Sequence, residues 1–137
     1  MLERSLRLVA VMVAAGALIA SAAFAAKPES GLYVWSSKDQ SSVVDLQVSG
    51  NPRKIVRTVI SSSHCGDGMG VTISKRIRIR RSGKFRFDGT GDLYSASSKT
   101  RVTLHGKFVT RRKATGTAHI TSCDLTVKFT ARFEPPR

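Results

Sequence analysis

The sequence predicts an all-β domain: a single antiparallel β-sandwich or a small meander β-barrel of about eight strands, carrying one disulfide and preceded by a signal peptide. Three observations predict it. Apolar residues recur with a period of two through most of the chain beyond residue 25, as half-buried strands require. Turn residues break that alternation roughly every 8–12 residues. No stretch beyond Ala25 repeats with the 3.6-residue period of a helix. A chain of 137 residues has room for one domain and not two.

The N-terminus comes first. Arg4 and Arg7 precede a charge-free apolar run over residues 8–20, and Ala23-Phe24-Ala25 supplies a small-residue cleavage triplet. The layout predicts a secretory signal peptide over residues 1–25 and a secreted domain over 26–137. Left uncleaved, residues 8–26 are long enough to anchor the chain in a membrane. The cleavage triplet followed by Lys27-Pro28 favours removal, and no transmembrane segment is then expected. Ala26 stands where a lipoprotein needs Cys. The expected location is secreted or periplasmic, in either case extracytoplasmic. Removing residues 1–25 takes away Arg4, Arg7 and Glu3, so the formal charge of +14 becomes +13.

The strands follow in order. Residues 26–30 read as a linker. Gly31-Leu32-Tyr33-Val34-Trp35 opens the pattern, with Tyr33 and Trp35 on one face. Val44, Leu46 and Val48 alternate with Asp45 and Gln47, and Ser49-Gly50-Asn51-Pro52 is a turn. Residues 55–60 are β-branched. Cys65 begins a Gly-rich loop. Ile73, Ile77 and Ile79 share one parity, with Lys75 marking a bulge or frayed start. Arg81-Ser82-Gly83 has the size of a hairpin loop, after which Phe85 and Phe87 resume the apolar face. Asp88-Gly89-Thr90-Gly91-Asp92 reads as another loop, with a short strand at Leu93-Tyr94. Val102, Leu104 and Phe108 alternate with Arg101, Thr103, His105 and Lys107. Arg111-Arg112-Lys113 is a charged turn. Residues 114–122 alternate small residues with Thr115, Thr117, His119 and Thr121. Leu125, Val127, Phe129, Ala131 and Phe133 complete the cleanest alternation in the chain.

Cys65 and Cys123 are the only cysteines, and both lie in the exported part. In an oxidising compartment such a pair predicts one disulfide. It closes a loop of about 59 residues, to which chain entropy assigns roughly 4 kcal/mol. Neither cysteine has a C-x-x-C partner, which disfavours a redox or metal role.

No motif predicts an enzyme or a cofactor. G-x-S-x-G is missing, and Ser61-Ser62-Ser63-His64 is a polar strand end. A disulfide removes the Cys65 thiol from any pairing with His64. His105 and His119 fall on the outer parity of neighbouring strands, with no third ligand at a readable spacing. Asp88 and Asp92 lack the spacing of a calcium loop, and Gly66-Asp67-Gly68-Met69-Gly70 lacks the Lys-Ser/Thr of a phosphate loop. Tyr33 and Trp35 are expected in the core or as a plug at a barrel end; facing outward they would be a stacking platform.

Charge distribution is the feature above background. Between Lys75 and Arg86, seven of twelve residues are Lys or Arg. Folded as a hairpin, that stretch projects Arg76, Arg78, Arg80, Lys84 and Arg86 from one outer face. Arg101, Lys107, Arg111, Arg112 and Lys113 would extend the patch. Like charges on paired strands repel, so the arrangement works against folding. It predicts a contact with a polyanion. Phe85 and Phe87 occupy the core parity and are not free to stack bases, so no specific nucleic acid is predicted.

The series Gly31-x-Tyr33, Val44-x-Leu46-x-Val48, a cysteine followed by glycines, Gly83-Lys84-Phe85-x-Phe87, Val102-x-Leu104-x-Gly106-x-Phe108, Gly116-Thr117, Cys123 and Phe129-x-Ala131 resembles small secreted two-cysteine bacterial β-proteins of uncharacterised function, found mainly in high-GC soil bacteria. Trp35 departs from the glycine that many of them carry there. The resemblance implies fold and export and brings no functional residue. The expected function is a non-enzymatic basic module that associates with anionic cell-envelope polymers or surfaces. The alternatives are a small-molecule-binding barrel of the calycin or avidin type and an inhibitor of an extracellular enzyme.

Overall fold

A computed structural model describes residues 27–65, 70–94 and 98–136. The predicted signal peptide and most of the Gly-rich loop after Cys65 lie outside the described residues. The strands are β1 (Gly31–Ser36), β2 (Ser42–Ser49), β3 (Lys54–Ser62), β4 (Gly70–Ile73), β5 (Ile77–Arg78), β6 (Lys84–Leu93), β7 (Lys99–Thr110), β8 (Lys113–Ile120) and β9 (Leu125–Glu134). Two short 3-10 turns, Ser63–Cys65 and Thr121–Cys123, follow β3 and β8.

Every ladder is antiparallel, and the chain meanders from each strand to its neighbour. β1 pairs with both β2 and β9, which closes the sheet. Of the two architectures the alternation allows, the molecule is the barrel. β4 and β5 are two pieces of one wall strand, since both pair with the same edge of β3. The exposed residues Ser74, Lys75 and Arg76 separate them, which is where Lys75 breaks the apolar parity. The wall therefore has eight positions. The seam is thinnest between β4–β5 and β6, where the ladder is limited to Val71↔Leu93 and Thr72↔Asp92 and β5 pairs with β3 alone.

The interior follows from the period of two. Inward residues from all round the wall, including Tyr33, Leu46, Ile60, Ile73, Leu104 and Phe108, are at most 1 % exposed. An eight-stranded barrel is just wide enough to be filled by side chains. Tyr33 meets Phe108 edge-on at 5.2 Å and Phe133 at 5.6 Å, and Phe85 lies 5.5 Å from Phe108. Trp35 shares the inward parity of Tyr33 and packs, partly buried, against this core.

Both ends are shut. At one, Cys65 and Cys123 are bonded, with Cα atoms 5.3 Å apart. They extend β3 and β8, which stand four positions apart in a ring of eight, so the disulfide crosses the mouth between opposite walls. Ser42 and Ser62 hydroxyls pair at 2.9 Å at this end. At the other end the Tyr33 hydroxyl reaches the carbonyls of Glu29 (2.8 Å) and Arg111 (2.7 Å). The Glu29 amide also donates to the Arg111 carbonyl, and Pro28 is buried. Residues 27–30 are thus tied to the barrel base rather than acting as the linker the sequence suggests.

A second difference concerns residues 88–92. Their turn-like composition predicts a loop, yet they continue β6, in register with β7 from Asp88↔Thr103 to Asp92↔Lys99. The two glycines are there for close packing. A Cβ on Gly91 would lie 2.5 Å from a Val71 methyl, and one on Gly89 2.8 Å from the Phe87 ring. Glycine within a strand marks such close approach as readily as it marks a turn.

Candidate anion-binding groove

The outer face of β6–β9 is set by three ladders in register. Lys84 stands opposite Lys107, and Lys107 opposite Thr115. Two residues along, Arg86, His105, Thr117 and Lys128 form a second row across all four strands. Side chains two apart on a strand are about 7 Å apart and those on adjacent strands about 5 Å. The rows therefore bound a groove. Its volume is about 660 Å³, and Arg80 joins it from the β5–β6 turn. Between the rows the surface drops to the backbone of Phe85, Gly106, Gly116 and Phe129.

The turn that positions Arg80 is tight. The Arg80 amide donates to the Lys84 carbonyl, and the Gly83 amide donates to the Arg80 carbonyl. Gly83 has φ +86°, a conformation that side chains resist, and a Cβ there would sit 2.8 Å from the Phe108 carbonyl oxygen. Lys84 and Arg80 are thereby held at the same lip of the groove.

Among the described residues, none of Arg80, Lys84, Arg86, Lys107 and Lys128 forms an ion pair. The acid nearest in register, Asp88, is occupied by Arg101 at 2.8 Å. Arg112 is likewise committed, to Glu29 at 3.0 Å and to the face of Phe133 at 5.1 Å. The groove thus presents unneutralised cations, an imidazole and two threonine hydroxyls to solvent. That set can accept phosphate, sulfate or carboxylate groups by charge and hydrogen bonding.

The five cations singled out in the sequence divide. Arg80, Lys84 and Arg86 line the groove. Arg78 lies exposed on β5 opposite Lys54, and Arg76 lines a separate shallow depression beside the β2–β3 turn. Of the suggested extension, Lys107 belongs to the groove, whereas Arg101 and Arg112 are held in ion pairs. The sequence alone does not join Lys128 and His105 to the patch. Their outward parity, on β7 for His105 and on β9 for Lys128, and the lengths of the hairpins from β6 to β9 carry the only signal for them.

A second cluster also escapes the sequence. Asp39 accepts hydrogen bonds from the hydroxyls of Ser37 and Ser41, each at 2.7 Å, and from the Ser41 amide at 3.1 Å. These bonds hold its carboxyl well below the usual carboxylate range. The Ser41 hydroxyl lies 3.2 Å from His64 Nε2. In a Ser-His-Asp relay the imidazole stands between the other two. Here the serine does, and the cluster ties the β1–β2 turn to the end of β3.

His105 and His119 share the outer face but are offset, His105 opposite Thr117 and His119 opposite Thr103. His119 bonds Thr126 at 3.0 Å and approaches Asp124 at 3.6 Å. Among the described residues no three His, Cys, Asp or Glu side chains are grouped to hold a metal, and no helix is long and apolar enough to cross a membrane. Comparison with family models, curated proteins and solved structures returns no match.

Proposed function

We propose that the chain is a non-enzymatic extracytoplasmic module whose β6–β9 groove holds the anionic groups of a cell-envelope polymer or surface. One observation carries this reading: five cations line a single groove without a carboxylate partner among the described residues. Lys84 directly faces Lys107, an arrangement that opposes folding and therefore favours a role outside it. The disulfide accords with an oxidising compartment. The filled interior favours this reading over a barrel that holds a small molecule near Tyr33 and Trp35.

The test is retention of the domain on anionic polymers, anionic vesicles and DNA, titrated with salt. Retention on one class, falling steeply with salt, supports the groove. Combined Lys84→Gln, Arg86→Gln, Lys107→Gln and Lys128→Gln substitutions should abolish it, while Arg76→Gln with Arg78→Gln should leave most of it. Equal retention of the quadruple variant would sink the groove as the site.

A further inference from the structure

The base of the barrel carries a second concavity, which shares only Arg80 with the groove and does not rest on the polymer reading. It measures about 390 Å³, within the range of about 300–1,000 Å³ usual for small-molecule sites. Its walls are apolar where Pro28, Pro52 and Ile79 meet. Its charged groups are all cationic: Lys27, Arg53, Arg80 and Arg81. None of the four is in an ion pair among the described residues.

Arg53 is the informative member. It is part-buried, and one terminal nitrogen donates to the Gly50 carbonyl at 2.6 Å. Its Nε is shielded from solvent and has no hydrogen-bond partner. A guanidinium carries five donor hydrogens in a fixed fork and has no acceptor of its own. Because Nε is closed to solvent, an incoming acidic head group meets Arg53 at its terminal nitrogens. The fold keeps Arg53 in place regardless: it is the last residue of the β2–β3 turn, beside the base that Tyr33 and Glu29 close.

Apolar walls with four cations that form no ion pair among the described residues match neither a simple inorganic anion nor a neutral apolar compound. We infer that this base pocket binds an amphiphilic organic anion, with its carboxylate or phosphate head on Arg53 and Arg81 and its alkyl body against Pro28, Pro52 and Ile79. A carboxylate and a phosphate head present the same paired acceptors to a guanidinium.

The experiment is calorimetric titration of the domain with decanoate and with decyl phosphate below their micellar concentrations. Inorganic phosphate and decanol serve as the head-only and tail-only probes. Saturable one-to-one binding of at least one amphiphile is expected, at least tenfold tighter than either half-probe. The stronger amphiphile identifies the head group. Arg53→Gln should weaken binding tenfold or more. Arg81→Gln, at an exposed position that leaves the fold alone, should weaken it several-fold. Lys128→Gln, confined to the groove, should leave it unchanged. Inorganic phosphate binding as tightly as the amphiphiles, no loss in both Arg53→Gln and Arg81→Gln, or an equal loss in Lys128→Gln would each overturn the assignment.

Discussion

Gly106 stands directly opposite Gly116 in the β7–β8 ladder, and the rings of Phe85 and Phe129 occupy the space their side chains would take. Phe85 is the cross-strand partner of Gly106 and Phe129 that of Gly116, so the order across four strands is Phe-Gly-Gly-Phe. The row packs the interior and, on its reverse, forms the floor of the cationic groove.

Alanine at either glycine should therefore destabilise the barrel. A Cβ at Gly106 would lie 2.6 Å from Phe85 Cζ, and one at Gly116 would lie 2.6 Å from Phe129 Cζ. Neither ring can retreat within a filled core. Overpacking of this kind costs about 1–3 kcal/mol. Denaturant unfolding should show a lower midpoint with an unchanged slope. A midpoint equal to that of the parent would mean the rings have room that the structure does not show.

The disulfide spans opposite walls, so its removal should loosen the whole ring rather than one hairpin. Replacing Cys65 and Cys123 by Ser together should cost about 2–4 kcal/mol. Reductant should lower the melting temperature of the parent and not of the double variant. Salt-sensitive retention by the groove should survive below the melting temperature, because its rows belong to ladders that do not include the bond. A parent melting temperature indifferent to reductant would contradict the strapping role.

The period-two runs in β2 and β9 made those strands legible, because one face of each is core and the other solvent. Closure was not legible, since it rests on β1 meeting β9 from the far end of the sequence. Asp88-Gly89-Thr90-Gly91-Asp92 misleads for a related reason. Its composition is that of a turn, but Val71 on β4, Val102 on β7 and the Phe87 ring require residues without side chains there. The groove was half legible. Arg80, Lys84 and Arg86 are close in sequence and show as a dense basic stretch. His105 joins them through the β6–β7 register, Lys128 only through the two hairpins that follow, and Arg76 leaves them because β5 pairs with β3.

Tyr33 should give the barrel an alkaline limit. Burial is the main cause that pushes its phenol up from 10.0 to about 12, and the carbonyls it bonds keep it in place. Below pH 10 the phenol is protonated in both folded and unfolded chains. Above that, the unfolded chain loses the proton while the folded chain holds it until about pH 12, so stability falls across that window. Tyr33→Phe should cost about 1 kcal/mol near neutral pH through the lost hydrogen bond. That deficit should shrink as pH rises past 10, since Phe has no proton to lose. Denaturant midpoints of both proteins across the alkaline range test this; a deficit that stays constant would refute it.

Asp45 works in the opposite range. Its carboxyl faces outward between Val34 and Val59, with one oxygen shielded and unpartnered. Burial, then the neighbouring Glu134, raises its pKa. Above the carboxylate range the folded chain must hold a charge it solvates poorly, so the favourable contribution of the protonated form is lost as pH rises. Asp45→Asn should raise the unfolding midpoint at neutral pH and change it little in acid. A stabilisation of equal size at both pH values would point to packing instead of charge.

Lys84 and Lys107 offer the sharpest separation of folding from binding. They face each other across β6 and β7, and their repulsion weakens the ladder they share. Lys84→Glu would turn a like pair into an opposite one, a change worth about 0.5–1 kcal/mol in favour of the fold. The same substitution removes a cation from the lip of the groove and places an anion there. Stability should rise, and retention on anionic polymer should fall, with the salt dependence losing at least one unit of slope. The stability gain should fade at high salt, since both side chains are exposed and their interaction is screened. Were Lys84 merely part of a solvated surface, the fold would gain as described while retention stayed put. A variant that is both more stable and less retentive would show that the cation is kept against the interest of the fold.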